Sequence, residues 1–512
     1  MRTTKPIEFV LIAALAIPAM MAAPSARAQQ TPAGTTPDAS AADTQTVPVS
    51  TPSKTAREDY ELGMFHREEL LYVEDGIDFF RKAIQADPHF ALGHATLGFF
   101  TSDPAEEVRE LALAKSNLSH AAPDEKVLIR WMMGTKNGNL VPAIAAMNDL
   151  LEKYPNDKRL TNMFAEWLLG PQQNYNYAAK MLEKILKTDP EYYPALNNLA
   201  YAYALGGRAE LSPPLMDRYV AALPGQPNPQ DSYGEILRMM GDFPGALEHY
   251  RASLKIAPNF VYSQDGIAST YALMGDEDRA RLEYVKAIDM AKERTDKMDF
   301  RILWAMTYYR ENRPGLARKA FNDIAAEAHQ QNLPVEEAEC HRDMALFNPD
   351  PEGQLKDMEA ATEVMISDKH EILQGTRELE LAKIFQTKAY IAARAGNASL
   401  TQRTFEQLNN MAQSNRDNVV MDAYHSANGA SLLLKGKFAD AISELQEDPR
   451  NPLSLRLLAD AESKAGETAE AEKTLATLAA INDETVEMAS LVPPVRAALK
   501  SNVSKSAQDT SH

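Results

Sequence analysis

Cys340 is the only cysteine in this 512-residue chain, so no disulfide can form within it. Stability must come from packing alone. Cys340 lies in a stretch of helical pattern, Val335 to Leu346, and reads as a packed small hydrophobe rather than a nucleophile. Aromatic residues are scarce, at 7%, which excludes an architecture built on large aromatic cores; abundant alanine suits closely packed helices instead. No block of five or six basic residues occurs, and the formal net charge is −19. Such a chain repels phosphate backbones and anionic membrane surfaces, which excludes nucleic acid as a partner.

Catalytic signatures are missing as well. There is no G-x-S-x-G, no H-E-x-x-H and no C-x-x-C. The ten histidines are scattered: His89 and His94 are five apart, and Cys340 and His341, being adjacent, diverge by about 100° on a helix. No metal or cofactor is expected, and no enzymatic activity. The nearest approach to a phosphate loop, Gly429 to Lys437, fails on spacing: six residues separate Gly429 from Gly436 where four are needed, and Phe438 stands in place of Ser or Thr. That stretch reads as the end of one helix and the turn into the next.

Long apolar runs are absent except near the start. Arg2 and Lys5 precede an apolar stretch from Phe9 to Met21, interrupted only by Pro18, and Ala26-Arg27-Ala28 fits a small-x-small cleavage site. The stretch is shorter than the roughly 20 residues needed to span a bilayer. Residues 1–28 are therefore expected to be a secretory signal, and the mature protein to be periplasmic or secreted, with no membrane span after cleavage. Its formal charge would be −21. Residues 29–54 are rich in Thr, Pro and Ala and read as a disordered tether. Residues 499–512 form a polar tail.

What the chain does have is a beat of prolines. Pro88, Pro123, Pro155, Pro190, Pro224 and Pro258 are separated by 35, 32, 35, 34 and 34 residues. A period near 34 is that of a helix-turn-helix unit stacked into a solenoid, each proline closing a unit. In the clearest unit, Tyr233-Gly234-x2-Leu237 marks a first helix, Gly241-Asp242 a turn, and Ala246-x3-Tyr250 a second helix ending before Pro258. The next unit repeats it with Ile267-Ala268-x2-Tyr271, Gly275-Asp276 and Ala280-x3-Tyr284. It lacks the closing proline, so its second helix is expected to run on toward Thr295. Weaker copies include Gly76-x3-Phe80, Ala178-x3-Leu182, Ala317-x3-Phe321, Gly429-x2-Leu432 with Ala441-x3-Leu445, and Ala471-x3-Leu475.

This pattern resembles the tetratricopeptide repeat, W-x2-L-G-x2-Y…A-x3-F…P, with Gln230 in the Trp place. The resemblance spans roughly residues 57–485 as about 11 or 12 helix pairs. It implies an all-α solenoid of stacked helix-turn-helix repeats forming a right-handed superhelix, in an N-terminal array over 55–292 and a degenerate C-terminal array over 293–498. Residues 334–420 are helical in pattern but poor in the motif.

The resemblance further implies a concave groove lined by first helices. On the best-defined units this selects Asn197, Asn198, Tyr201, Asp231, Glu235, Arg238, Asp265 and Ser269, with Arg301, Met306 and Tyr309 extending the wall. Asparagine amides suit main-chain recognition of an extended peptide, and tyrosine rings give contact area at low entropy cost. Family members that grip a carboxylate use Lys, Asn and Arg here. Asp231, Glu235 and Asp265 have the opposite sign, so a neutral or basic protein segment is the expected partner. The function implied is an exported protein-interaction scaffold. The alternatives are an enzyme or enzyme subunit with a site hidden in residues 334–420, and a self-assembling solenoid whose exposed end Val492 to Leu499 would cap, broken at Pro493-Pro494.

Overall fold

The computed structural model describes residues 46–68, 73–367 and 371–509. The expected signal segment lies outside them. Twelve antiparallel helix pairs follow one another from Lys54 to Ala479 among the described residues, and a final helix, Val486–Asp509, closes the chain. The architecture is the all-α solenoid that the proline period predicts.

Several pairs are held by the same interlock. A small residue on the first helix makes room for a large one on the second. A Cβ added at Gly234 would come within 2.9 Å of the Tyr250 ring, one at Gly63 within 2.5 Å of Phe80, and one at Gly429 within 2.5 Å of Leu445. Tyr250, Phe80 and Leu445 are buried, as are Ala246, Ala280 and Ala317 on the second helices of their own pairs. The turn between the helices combines two local preferences. Gly241 and Gly275 end their helices at φ of 84° and 81°, a left-handed conformation that glycine takes without strain. Asp242 and Asp276 then accept hydrogen bonds from the backbone amides of Gly245 and Arg279 and so cap the helix that follows.

The weakly matched stretches keep the plan. Ser212-Pro213-Pro214 shortens a second helix to Pro213–Ala222 without abolishing it, because proline is compatible with the first helical turn. Residues 334–420 fold as two ordinary pairs, Pro334–Phe347 with Pro351–Ile366 and Gln374–Arg394 with Ala398–Ser414. Gly436, in the phosphate-loop-like stretch, sits at φ of 74° between Asn418–Leu434 and Phe438–Leu445, in an inter-helix turn.

Three expectations differ in detail. The helix after Gly275 stops at Met290, and a new, longer helix starts at Arg294, with Lys292 and Glu293 in the break. The chain at 46–53, the end of the expected tether, lies extended against the solenoid. There the Val47 amide donates to Asp157 (3.0 Å), the Ser50 amide to Glu125 (2.7 Å) and the Thr51 hydroxyl to Asp87 (2.5 Å), while Val47 and Val49 pack on the core. At the other end, Val486–Asp509 runs through Pro493 and Pro494 without a break, although the two prolines remove the amide donors that would close on Ala489 and Ser490.

The superhelix is tight enough for residues far apart in sequence to meet. Gln172 donates to Asp417 (2.9 Å), Asn418 donates to the carbonyl of Gln172, and Arg294 pairs with Asp103 (2.8 Å). The Arg450 guanidinium lies 4.8 Å from the centre of the Tyr175 ring. At Gly375 the approach is backbone to backbone, since an added Cβ would fall 2.3 Å from the Lys136 carbonyl oxygen and 2.8 Å from the Gly138 nitrogen. Gly375→Ala is therefore expected to cost about 1–3 kcal/mol, because rigid backbone has to move. Gly315→Ala, which meets nothing within 4 Å in the first turn of a helix, is expected to be neutral or slightly stabilising. Denaturant unfolding of the two variants checks this; equal midpoints would contradict the contact.

Candidate functional site

First helices of successive pairs pack closely on one another, as Lys158–Leu169 does on Tyr193–Leu205 and Asn228–Met240 on Val261–Met274. They form the inner layer of the superhelix. All eight residues singled out from the sequence lie on three of these inner helices. The structure brings them together as a buried polar seam.

Asn198 is 2% exposed and donates to both Asn162 (3.0 Å) and Glu166 (3.1 Å). Neighbouring Asn197 is 1% exposed, and neither side-chain amide atom has a hydrogen-bond partner among the described residues. The Tyr201 hydroxyl donates to Glu235 (2.7 Å), and Ser263 donates to Asp231 (2.6 Å). Ser269 shares a hydrogen bond with the Tyr284 hydroxyl (3.0 Å). Arg238 joins Glu235 (3.4 Å) to Glu484 (2.8 Å). Glu235 and Asp265 are the only two of the eight that are not fully buried. Of the proposed extension, Arg301 pairs with Glu327, Met306 is buried, and Tyr309 stacks on Phe347 at 3.6 Å.

Glu484 belongs to the segment that leads into the last helix, and that segment covers this part of the inner face. Asn482 reaches the carbonyl of Met239 (3.5 Å), and Val486 and Ala489 join the apolar cluster that includes Met298, Ile302 and Met344. Met488 and Val492 bridge Leu273 and Leu455, and Arg496 folds back onto the carbonyls of Ala479 (2.8 Å) and Ile481 (2.9 Å). Repeat phase placed the eight residues on the inner layer, but it carries no information about what lies over them.

Burial sets the ionisation of the seam. Desolvation pushes the Asp231 carboxyl up to about 8; the Ser263 hydrogen bond and Arg238 oppose the rise, and Glu235 and Asp265 add to it. Glu68 is likewise pushed up to about 8, chiefly by burial, despite its bond from Arg159 (3.0 Å). Burial also raises the Cys340 thiol, which is wholly enclosed. His94 is held between Glu110 (2.6 Å) and the carbonyl of Pro88 (3.1 Å), and His89 stacks on His120. Among the described residues no group of three or more His, Cys, Asp or Glu side chains is placed to hold a metal ion, and no helix is long and apolar enough to cross a membrane.

The inner layer stays open nearer the N-terminus. A cavity of 370 Å³ lies where the first turn of the superhelix faces the next. One wall comes from Arg67, Phe99, Phe100 and Trp167, the other from residues 292–299, Glu336 and residues 372–383. The Arg67 guanidinium sits 3.9 Å from the centre of the Phe100 ring and bonds Glu166 (2.9 Å). Across from it Lys383 pairs with Glu380 (3.0 Å). The sequence reading did not select these residues. Their one local signal is the Phe99-Phe100 pair ending an inner helix; what joins them to residues 292–383 is the superhelical turn.

Comparison with known proteins bears on this architecture. Two models described as tetratricopeptide repeat match the chain, at residues 168–227 and 432–492. A TPR repeat-containing protein, YpiA of Bacillus subtilis (strain 168), is 27% identical over 168 residues, which cover 32% of this chain. This chain spans only 40% of the length of that relative. Among solved structures, a tetratricopeptide repeat protein from Parabacteroides merdae ATCC 43184 is 16% identical with a TM-score of 0.35, covering 48% of this chain and 97% of its own. The APC/C hetero-tetramer Cut9-Hcn1 is 17% identical with a TM-score of 0.41, covering 82% of this chain and 79% of its own.

Two predictions follow from the buried seam. Arg238 and Glu484 are both about nine-tenths buried, so removing Arg238 leaves the Glu484 charge enclosed without it, and removing Glu484 leaves Arg238 only its longer contact with Glu235 (3.4 Å). Arg238→Met or Glu484→Leu alone is expected to cost about 3–5 kcal/mol, and the double variant to recover most of that loss. A double-mutant cycle in urea measures it, and strictly additive losses would contradict the pairing. Asp231 ionises near its ordinary 3.8 when unfolded but near 8 when folded. Its contribution to stability is thus complete below its unfolded value and is lost as pH rises through the folded one. Asp231→Asn is expected to match the parent near pH 4 and to be the more stable protein at pH 8, as read from thermal unfolding across that range. An advantage that stayed constant with pH would refute the assignment.

Proposed function

We propose that this chain, a tetratricopeptide-repeat protein, is an exported scaffold that holds a segment of a partner protein on the inner face of its superhelix. Stacked helical repeats of this kind supply interaction surfaces, and binding rather than catalysis is the role they usually carry. The single observation behind the choice of face is the cavity between the two turns. Beside Arg238 the inner layer is already filled by the chain's own residues 482–496, whereas at Phe99 and Phe100 it is not. The export reading rests on the basic start, the apolar stretch from Phe9 to Met21 and the Ala26-Arg27-Ala28 site. The acidic balance of the chain favours a neutral or basic segment.

The test is made on native protein recovered from its own cells. Terminal sequencing is expected to find Gln29 as the first residue. A photoreactive side chain at Ser102, on the cavity wall, is expected to crosslink one dominant neighbour, and the same group at Val141, on the outside, is not. A cytoplasmic protein beginning at Met1 would overturn export. Crosslinks from Ser102 only to other copies of this chain would overturn the partner reading in favour of self-assembly.

A further inference from the structure

Six consecutive residues, Glu484 to Ala489, are all buried. They belong to the segment that covers the inner face, and its successive side chains meet different walls. Val486 and Ala489 pack among Met298, Ile302 and Met344, Met488 and Val492 between Leu273 and Leu455, and Leu491 against the cluster of Leu457 and Leu458. A helix enclosed all round is a core element. This one is tied to the last helix pair only through irregular chain at residues 481–485. It lies on the solenoid as a peptide lies in a groove.

Its polar contacts are unequal. At the head, Glu484 meets Arg238 at 2.8 Å, with both side chains enclosed. Three residues on, Glu487 is 1% exposed, and neither of its carboxylate oxygens has a hydrogen-bond partner among the described residues. Arg342 attracts it, but the hydrogen bonds of that guanidinium go to Glu380 (3.2 Å), Glu339 (3.3 Å) and Asp343 (3.4 Å). Asp343, also buried, repels it. A carboxylate removed from water without hydrogen bonds, beside a like charge, is costly. Further on, Pro493 and Pro494 take two hydrogen bonds out of the helix. The segment is thus seated by one strong polar contact and opposed by an unfavourable one.

We propose that residues 482–492 are a displaceable internal ligand, and that the face beneath them, from Arg238 to Met344, receives in their place a segment of another protein. The residues seated there specify its chemistry. An acidic residue faces Arg238, a short helix apolar on successive sides begins two residues later, and a neutral residue stands at the place of Glu487. Arg238 requires the acid, because without Glu484 it keeps only its longer contact with Glu235 (3.4 Å). A buried cation selects its partner more sharply than the acidic balance of the whole chain does, since exposed charges are screened and enclosed ones are not. None of Arg238, Met298, Ile302 and Met344 lines the cavity at Phe99 and Phe100, so this surface is a second one and does not rest on the first.

The test is fluorescence anisotropy of the full chain with a labelled peptide of its own residues Ile481 to Val495, and with the same peptide carrying Glu487→Gln. Saturable binding of the Glu487→Gln peptide is expected, about ten-fold tighter than that of the unchanged one. Glu484→Gln in the peptide is expected to weaken binding at least about ten-fold, because it leaves Arg238 without its countercharge. Glu487→Gln made in the chain is expected to act the other way and weaken capture of either peptide about ten-fold, since it seats the competing internal segment more firmly. If that chain variant does not fold, as judged by its thermal unfolding, Glu487→Met is read in its place. No saturation of the Glu487→Gln peptide by about 1 mM would overturn the proposal. So would equal binding of a scrambled peptide, or a change of the same sign from Glu487→Gln in peptide and chain, because neither is competition for one face. A concentration-dependent dimer that the peptide dissolves would overturn the foreign occupant in favour of the same segment from a second copy.

Discussion

Contact between successive turns of the superhelix is the constraint on which the rest depends. In a loosely wound solenoid each helix pair touches only its neighbours, and the inner layer stays wet. Here Gly375 meets the Lys136 carbonyl, Gln172 meets Asp417, and Arg238 meets Glu484 across 246 residues. Those contacts turn an open inner face into an interior. They force the polar side chains on the first helices to find partners within the protein, because water has been removed. The Asn162–Glu166–Asn198 cluster with Arg67 and the Tyr201–Glu235–Arg238–Glu484 chain are the outcome.

Such seams fix register rather than add stability. A buried ion pair gains little net free energy over a well-packed apolar pair, while a half-broken one is costly. A slip of one turn against the other would leave Arg238 and Glu484 each enclosed without the other. The apolar contacts of the last helix, Val486 and Ala489 among Met298 and Ile302, would tolerate that slip far better, since packing of this kind is less directional. The polar contacts therefore select one closure, and the apolar ones supply its strength. The same enclosure raises the carboxyls of Asp231 and Glu68 into the physiological range, so closure of the superhelix and protonation of its seam are linked.

Legibility in the sequence follows the same division. The repeat was readable because its determinants are local: Gly234 and Tyr250 are 16 residues apart and Gly241 and Asp242 adjacent, and each has a specific steric or hydrogen-bonding reason to be what it is. The helix pairs, their spacing and the membership of the inner layer followed from that. The break at Lys292 and Glu293 did not, because the missing proline removed the signal that ends a helix while the chain ended it anyway. Nor did the cavity. Phe100 and Glu293 are joined by the pitch of the whole superhelix, which is a small rotation per repeat accumulated over several repeats. No residue encodes that rotation, so residue-by-residue reading placed the site on the best-matched repeats and missed the stretch where the turns leave space.

Closure also changes how the repeats cooperate. In an open array a weak repeat is supported only by its two neighbours, and the degenerate pairs of residues 334–420 would be its fragile point. In this chain those pairs lean on the turn after Pro123–Lys136 through Gly375, and Asp417, just after them, bonds Gln172. The helices persist there without the motif, held along the chain and also from across the turn. Residues 372–383 of that region line the cavity. Contacts to the preceding turn are thus added to those with the neighbouring repeats in the stretch that lines the cavity.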